Sequence, residues 1–292
     1  MAEPLSADAL VSALRAEGVA VVEHTGWRTN NRNHKGGWGP VNGVIIHHTV
    51  TTGTSATVNL CFNGHSSLPG PLCHGVIAKD GTVHLVGHGR ANHAGTGDPD
   101  VLAAVRAERS LPAPDRRTTD GNAHFYGFEC VNLGDGKDPW PAAQLEAIVR
   151  ASAALCRAHG WSARSVIGHK EWTSAKIDPR GFAMSDLRAR VAARLTKAPA
   201  TPSTGAAKPA HQPFPGAEWF RGQPRSAIVT AMGKRLVAVG CSAYKAGPGP
   251  QWTEADRASY AKWQRKLGYT GAAADGWPGA TSWAALKVPY SS

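Results

Sequence analysis

The chain reads as an α/β protein, a central mixed sheet flanked by helices, followed by a small, mainly α-helical unit. Three observations carry that reading. Short β-branched runs alternate with stretches of helical spacing through the first two thirds of the chain. A proline-rich stretch at 197–213 then offers nothing that could build a core. The remaining segment, 214–292, gathers five of the ten tryptophans around two helical patterns. The expected division is therefore a domain at 1–196, a tether at 197–213 and a second domain at 214–292. A chain of 292 residues, 42% hydrophobic and 18% charged, can supply a core to both.

The elements follow in order. Leu10, Val11 and Leu14 recur at helical spacing between Ser6 and Glu17, and Gly18 ends that helix. Val19 to Val22 reads as a short strand. Val44-Ile45-Ile46-His47-His48 is a β-branched run of the kind found in buried strands. Residues 75–79 and 82–86 flank Asp80-Gly81, a strong hairpin signal. Tyr126 to Val131 predicts another strand. Pro141 opens a helix whose apolar face carries Leu145, Ile148, Val149, Leu155 and Cys156, stopped by Gly160. Ser165 to Gly168 predicts a last short strand. In the second domain, Thr253 caps a helix bearing Tyr260, Trp263 and Leu267, and Ser282 to Leu286 forms another.

Charge and cysteine usage narrow the function classes. The formal charge of +11 is uneven: residues 1–196 hold 20 basic against 17 acidic side chains, net +3. Residues 213–292 hold 10 against 4, net +6. Nucleic acid, an anionic surface and solubility are all admissible reasons for such a charge. No nucleic-acid motif or basic cluster accompanies it, so a nucleic-acid partner is not expected. No apolar run is long enough to insert in a membrane. Five scattered cysteines argue against a disulfide framework, and the acidic start lacks the pattern of a signal peptide.

Thirteen histidines are present, of which His24, His34, His159 and His211 sit in polar or linker-like contexts. His47 ends a buried strand, where a neutral imidazole needs a partner or a metal. His47 and His48 face opposite sides of that strand, so one of them at most enters a given site. His169 sits at a strand end, and Asp178 follows nine residues later on a loop stiffened by Pro179. Taken singly, these are a core histidine, a loop histidine and a turn-forming Asp. Taken together they make a His–His–Asp set, and catalytic zinc takes three protein ligands and leaves a fourth position for water. Glu129 stands in an otherwise apolar strand, a costly place unless it faces solvent or a site.

The segments Val44-Ile-Ile-His47-His48-Thr49, Asn92-His93-Ala94-Gly95, Tyr126-Gly127-Phe128-Glu129 and Lys176-Ile177-Asp178-Pro179 after His169 resemble, in order, the zinc N-acetylmuramoyl-L-alanine amidases. These are the type-2 enzymes related to peptidoglycan recognition proteins and to phage amidases. The resemblance spans roughly 39–190. It implies a mixed sheet with zinc at one end, held by His47, His169 and Asp178. It further implies Glu129 as general base, Lys176 as a cation for the oxyanion, and Asn92 and His93 as substrate contacts. Leu72-Cys73-His74 lacks a tyrosine that some phage members carry there, which shifts the acid–base work toward Glu129. Cys73 itself reads as a buried free thiol, with pairing to Cys61 or metal contact as alternatives.

The second domain, with Trp-Gln-x-x-Leu-Gly-Tyr, Asp-Gly, Pro-Gly and Ser-Trp-x-x-Leu, resembles the peptidoglycan-binding modules of wall hydrolases. Its Phe214-Pro-Gly216 and Gly247-Pro-Gly-Pro250 segments are similar to endolysins of phages that infect actinobacteria. The implied function is a phage endolysin cleaving the amide between N-acetylmuramic acid and L-alanine of peptidoglycan. Such an enzyme is expected to be monomeric and to wait in the host cytoplasm until released to the wall. The alternatives are a non-catalytic peptidoglycan recognition protein and a zinc hydrolase of another amide.

Overall fold

The computed structural model describes residues 2–199, 211, 212 and 214–290. The chain divides into two compact units, 1–203 and 204–292. Most of the tether expected at 197–213 lies outside the described residues.

The first unit opens with α1 (Ala7–Ala16), capped by the Ser6 hydroxyl, and β1 (Val21–Glu23). There follow β2 (Gly43–His48), α2 (Thr54–Asn63), and a small hairpin of β3 (Gly64–His65) and β4 (Leu68–Pro69). The expected Asp-Gly hairpin is β5 (Gly75–Ile77) and β6 (Val83–Leu85). Next come β7 (Thr96–Gly97), α3 (Pro99–Arg106), β8 (Thr119–Asp120) and β9 (Phe125–Cys130). The unit closes with α4 (Ala142–His159), β10 (Val166–Gly168), the one-turn α5 (His169–Trp172) and α6 (Met184–Leu195).

Six strands form the central sheet in the order β1-β6-β5-β9-β2-β10. Only β5 and β6 run antiparallel, so the sheet is mixed, as the sequence predicts. β2 is central and buried along its whole length, which is why its residues are nearly all Val, Ile and His. Its two faces bury different cores. Val44, Ile46, Tyr126 and Phe128 pack against Leu10 and Leu14 of α1, Ile148 and Leu155 of α4, and Val191 of α6. Ile45, Phe125 and Ile167 pack on the other face against Val101, Leu102 and Val105 of α3 and Trp172 of α5. A separate apolar cluster around Val58, Cys61, Cys73, Val76 and Val131 packs beneath α2. Glu17, at the end of α1, pairs with Arg157 of α4 and Arg194 of α6, both at 2.7 Å, and ties the three helices on the first face.

The second unit holds α7 (Ala217–Arg221), α8 (Ala227–Ala238), α9 (Glu254–Lys266) and α10 (Ala280–Leu286). Thr253 and Asp256 make the capping box of α9. Its core joins Phe220, Val229, Met232, Leu236, Trp252, Tyr260, Trp263, Trp283 and Leu286. Trp263 donates its indole N–H to Ser282 O and Trp283 to Gln212 O, so these two anchors are structural. No helix among the described residues is long and apolar enough to cross a membrane.

Candidate metal centre and active site

Strand register brings the chemistry to one end of the sheet. β2 and β9 are parallel neighbours with His47 opposite Glu129, and register partners in parallel strands share a face. His47 and Glu129 therefore stand side by side on the α3 face, while His48 and Cys130 point away from it. β10 runs along the other edge of β2, and its last residue, Gly168, hands the chain to His169 at the start of α5. His169 begins a buried helical turn rather than lying on an exposed loop. That turn is anchored by Glu171, which accepts from the Gly168 N–H and pairs with Arg188 of α6. The loop beyond it folds back because Lys170 donates its backbone N–H to Asp178 O at 2.7 Å. This tie sets Asp178 beside His169.

The three residues meet tightly. His47 Nδ1 lies 3.0 Å from His169 Nδ1 and 3.0 Å from Asp178 Oδ2. His169 Nδ1 lies 3.2 Å from the same carboxylate oxygen. All three residues are buried. Hydrogen bonding on the far side of each ring decides what this contact is. His169 Nε2 faces the carbonyl of Ala94 at 3.1 Å, so Nε2 carries the hydrogen. His93 Nε2 faces the carbonyl of Phe125 at 3.2 Å, which leaves His93 Nδ1 as an acceptor. His47 Nε2 sits 3.2 Å from that atom and must donate to it. Two imidazole lone pairs and a carboxylate oxygen thus converge, and the neutral rings bring no hydrogen to share. Such a set needs a cation between its members. Donor atoms about 3.3 Å apart are what a tetrahedral ion with bonds of about 2.0 Å requires. The observed separations of 3.0–3.2 Å fit it. Among the described residues this is the one group of His, Cys, Asp or Glu with metal-holding geometry.

The surroundings favour these protonation states. Burial, and then the neighbouring His169, hold the His47 imidazole down at about 4. Burial also places His93 well below its ordinary value. Glu129 goes the other way. Burial and the charge of Asp178 push it up to about 8, against the pull of Lys176. Its Oε2 is buried with no hydrogen-bond partner among the described residues. An unpartnered carboxylate oxygen is costly in a core and useful in a site.

Lys176 is exposed on the loop before Asp178, and its charge acts on both Glu129 and His47. Asn92 is held by the chain next to it: its amide donates to Pro69 O at 2.7 Å and its backbone N–H to Pro71 O. His93 is buried with both ring nitrogens engaged, so it faces His47 rather than open cleft. Cys61 and Cys73 are buried free thiols outside the metal group, and Cys73 is pushed well up by burial and by Cys61. Asn122 carries no sequence signal. Its Oδ1 accepts from the backbone N–H groups of His93, Ala94 and Gly95 at 3.0, 2.8 and 3.3 Å.

Residues 37–181, which contain His47, Asn92, His93, Asn122, Glu129, His169, Lys176 and Asp178, match the model of the N-acetylmuramoyl-L-alanine amidase family. This segment belongs to that family. The protein is accordingly a peptidoglycan amidase, a hydrolase of a linear amide. No curated protein sequence matches the chain. Among solved structures, it is similar to the N-acetylmuramoyl-L-alanine amidase LysC from Clostridium intestinale URNW, at 18% identity and a TM-score of 0.42. That match covers 59% of this chain and 96% of that one. It is also similar to the amidase AmiD from E. coli, solved with anhydro-N-acetylmuramic acid-L-Ala-D-gamma-Glu-L-Lys. Identity there is 14%, coverage 88% and 91%, and the TM-score 0.40. AmpDH3 from Pseudomonas aeruginosa, solved with an anhydromuramic pentapeptide, matches at 16% identity, 92% and 96% coverage and a TM-score of 0.38.

The second unit lies outside the matched segment. A cavity of about 560 Å³ on it is lined by Thr230, Lys234 and Arg235 of α8 together with Pro250, Pro289 and Tyr290. Trp277 stacks on Trp252, and the guanidinium groups of Arg257 and Arg221 lie 5.1 and 5.4 Å from its ring centre.

Proposed function

We propose that the protein is a zinc-dependent endolysin that cleaves the amide between the lactyl group of N-acetylmuramic acid and L-alanine of the stem peptide. The observation that carries the reading is the meeting of three buried acceptor atoms that share no hydrogen, one strand away from an unpartnered glutamate oxygen. His47, His169 and Asp178 would hold the ion. Zinc bound there lowers the pKa of water to about 7 and polarises the scissile carbonyl. Glu129, on the same face, takes the proton from the attacking water and returns it to the leaving amine of L-alanine. Lys176 places its ammonium near the oxyanion that develops on the carbonyl. Asn92 and its neighbours Pro69 and Pro71 form one wall of the substrate cleft.

The second unit, with a net +6 over residues 213–292 and half-buried Trp219 and Trp277, serves as the wall-binding module. The enzyme acts as a monomer on peptidoglycan, not on nucleic acid or membrane. It stays in the host cytoplasm until a separate membrane lesion releases it. Mass spectrometry of digested walls tests the bond assignment. Intact glycan with free stem peptides beginning at L-alanine is expected. New reducing muramic acid ends would overturn it.

A further inference from the structure

We infer that residues 93–95, pinned by Asn122, are a positioning loop that fixes the protonation pattern of both histidine ligands at once. The inference rests on the metal-site reading above. A histidine binds a metal through one ring nitrogen only if that nitrogen is bare, and the partner of the other nitrogen decides this. Here both partners come from adjacent residues. The His93 ring accepts the Nε2 hydrogen of His47, and the Ala94 carbonyl accepts that of His169. Nδ1 of each ligand is thereby left bare toward Asp178.

The loop has its own anchors. Asn122 Oδ1 gathers three consecutive backbone N–H groups from it, and the Asn122 N–H in turn bonds Asp120 Oδ1. The His93 ring is held on its other side by the Phe125 carbonyl at the start of β9. It rests on Gly127, where a Cβ would stand 2.3 Å from His93 Nδ1. The strand bearing Glu129 therefore has a gap in its side-chain row that admits this ring. His93 is thus a positioning residue acting through His47, in place of the substrate contact that the family resemblance suggests.

The test compares wild type with His93→Leu, which removes the acceptor, and His93→Gln, which offers both an acceptor and a donor. Asn122→Ala loosens the loop without touching either ring. Zinc affinity is measured by competition with a chromophoric chelator. Long-range ¹H–¹⁵N correlation spectra of the metal-free proteins report the His47 tautomer. His93→Leu should bind zinc about 10- to 100-fold more weakly and show His47 Nδ1–H, with His93→Gln restoring most of both. Asn122→Ala should weaken zinc binding about tenfold and mix the tautomers of both ligands; it carries the test if His93→Leu does not fold. Wild-type affinity and an unchanged tautomer in these variants would overturn the inference. Failure of wild type itself to hold zinc would instead overturn the metal-site reading, while the tautomer of His47 would still be read directly.

Discussion

At the scale of single residues, the proposed mechanism assigns metal holding and proton transfer to different side chains, and two substitutions should separate them by experiment. Asp178→Ala removes the one anionic member of the acceptor set, whose Oδ2 serves both histidines. It is expected to lose both bound zinc and activity, as is wild type after chelation. Glu129→Gln keeps the size of a side chain whose Oε2 has no hydrogen-bond partner among the described residues. It should retain about one zinc while kcat falls about 10²- to 10⁴-fold, the usual contribution of a positioned general base. Zinc stoichiometry and turnover on a soluble muropeptide measure the two effects, and Glu129→Gln with more than a tenth of wild-type kcat would remove Glu129 from the proton-transfer role. His47, His169 and Asp178 could be proposed from the sequence because the segments that carry them resemble, in order, those of the zinc amidases, whereas each taken singly reads as an ordinary core, loop or turn residue. The role of His93 could not, because it depends on a contact with His47 across 46 residues and on the Phe125 carbonyl. Asn122 had still less to show, being one amide in the polar run Asp120-Gly-Asn-Ala.

At the scale of elements, buried polar side chains link the strands and loops around the site, and two of them make the fold acid-sensitive. His74 precedes β5; its Nε2–H donates to Gly89 O, and its Nδ1 accepts from the Gly127 N–H of β9, both at 2.9 Å. The bond accepted at Nδ1 requires the neutral ring, and burial depresses its pKa to about 3. The unfolded chain takes up this proton near pH 6.5, so the stabilisation is complete above that value and is lost as pH falls toward 3, by about 1.4 kcal/mol per unit. Asp98 caps α3 and accepts from the N–H groups of Asp100, Asp115 and Arg116. Burial opposes its ionisation, but these bonds place it below the usual carboxylate range. Its contribution is full above about pH 4 and is lost below that. Urea midpoints should therefore fall from pH 7 to pH 4 less steeply in His74→Gln than in wild type, while Asp98→Asn should flatten the curve only below pH 4. Equal slopes for wild type and His74→Gln would show that His74 is not the titrating group. Strands and the long α4 were readable because their apolar residues are dense. The Arg-rich α6 buries only Met184, Leu187 and Val191 and gave almost no signal. α2 has buried positions Thr57, Val58 and Cys61, too few and too polar to mark a helical face.

At the scale of the whole molecule, the two units have separate cores and divide the net charge unequally. Residues 1–196 are nearly balanced at +3, whereas 213–292 carry +6 on about a quarter of the chain. Trp263 and Trp283, the anchors most conspicuous in the sequence, are spent on the core of the second unit. What it presents outward is cationic: Lys234 and Arg235 at the cavity on α8, and Arg221 and Arg257 around Trp277. A delivery role for such a unit makes wall binding electrostatic and hydrolysis independent of it. Charges that attract an anionic wall over several ångströms are screened once the Debye length shrinks from about 10 Å at 0.1 M salt to about 3 Å at 1 M. Chemistry at a buried acceptor set is screened far less. A chain ending at Pro199 keeps every residue of the metal centre and the three apolar clusters around the sheet. It should fold, and should cleave a small soluble muropeptide within about twofold of the full-length rate. On intact walls it should pellet poorly and digest slowly at low salt, and raising salt should bring the full-length protein down to the same level. Sedimentation with purified walls and turnover on both substrates, each across a salt series, measure this. If the shortened chain pelleted and digested as well as the full chain at low salt, the basic unit would not be the delivery module, and its charge would need another explanation.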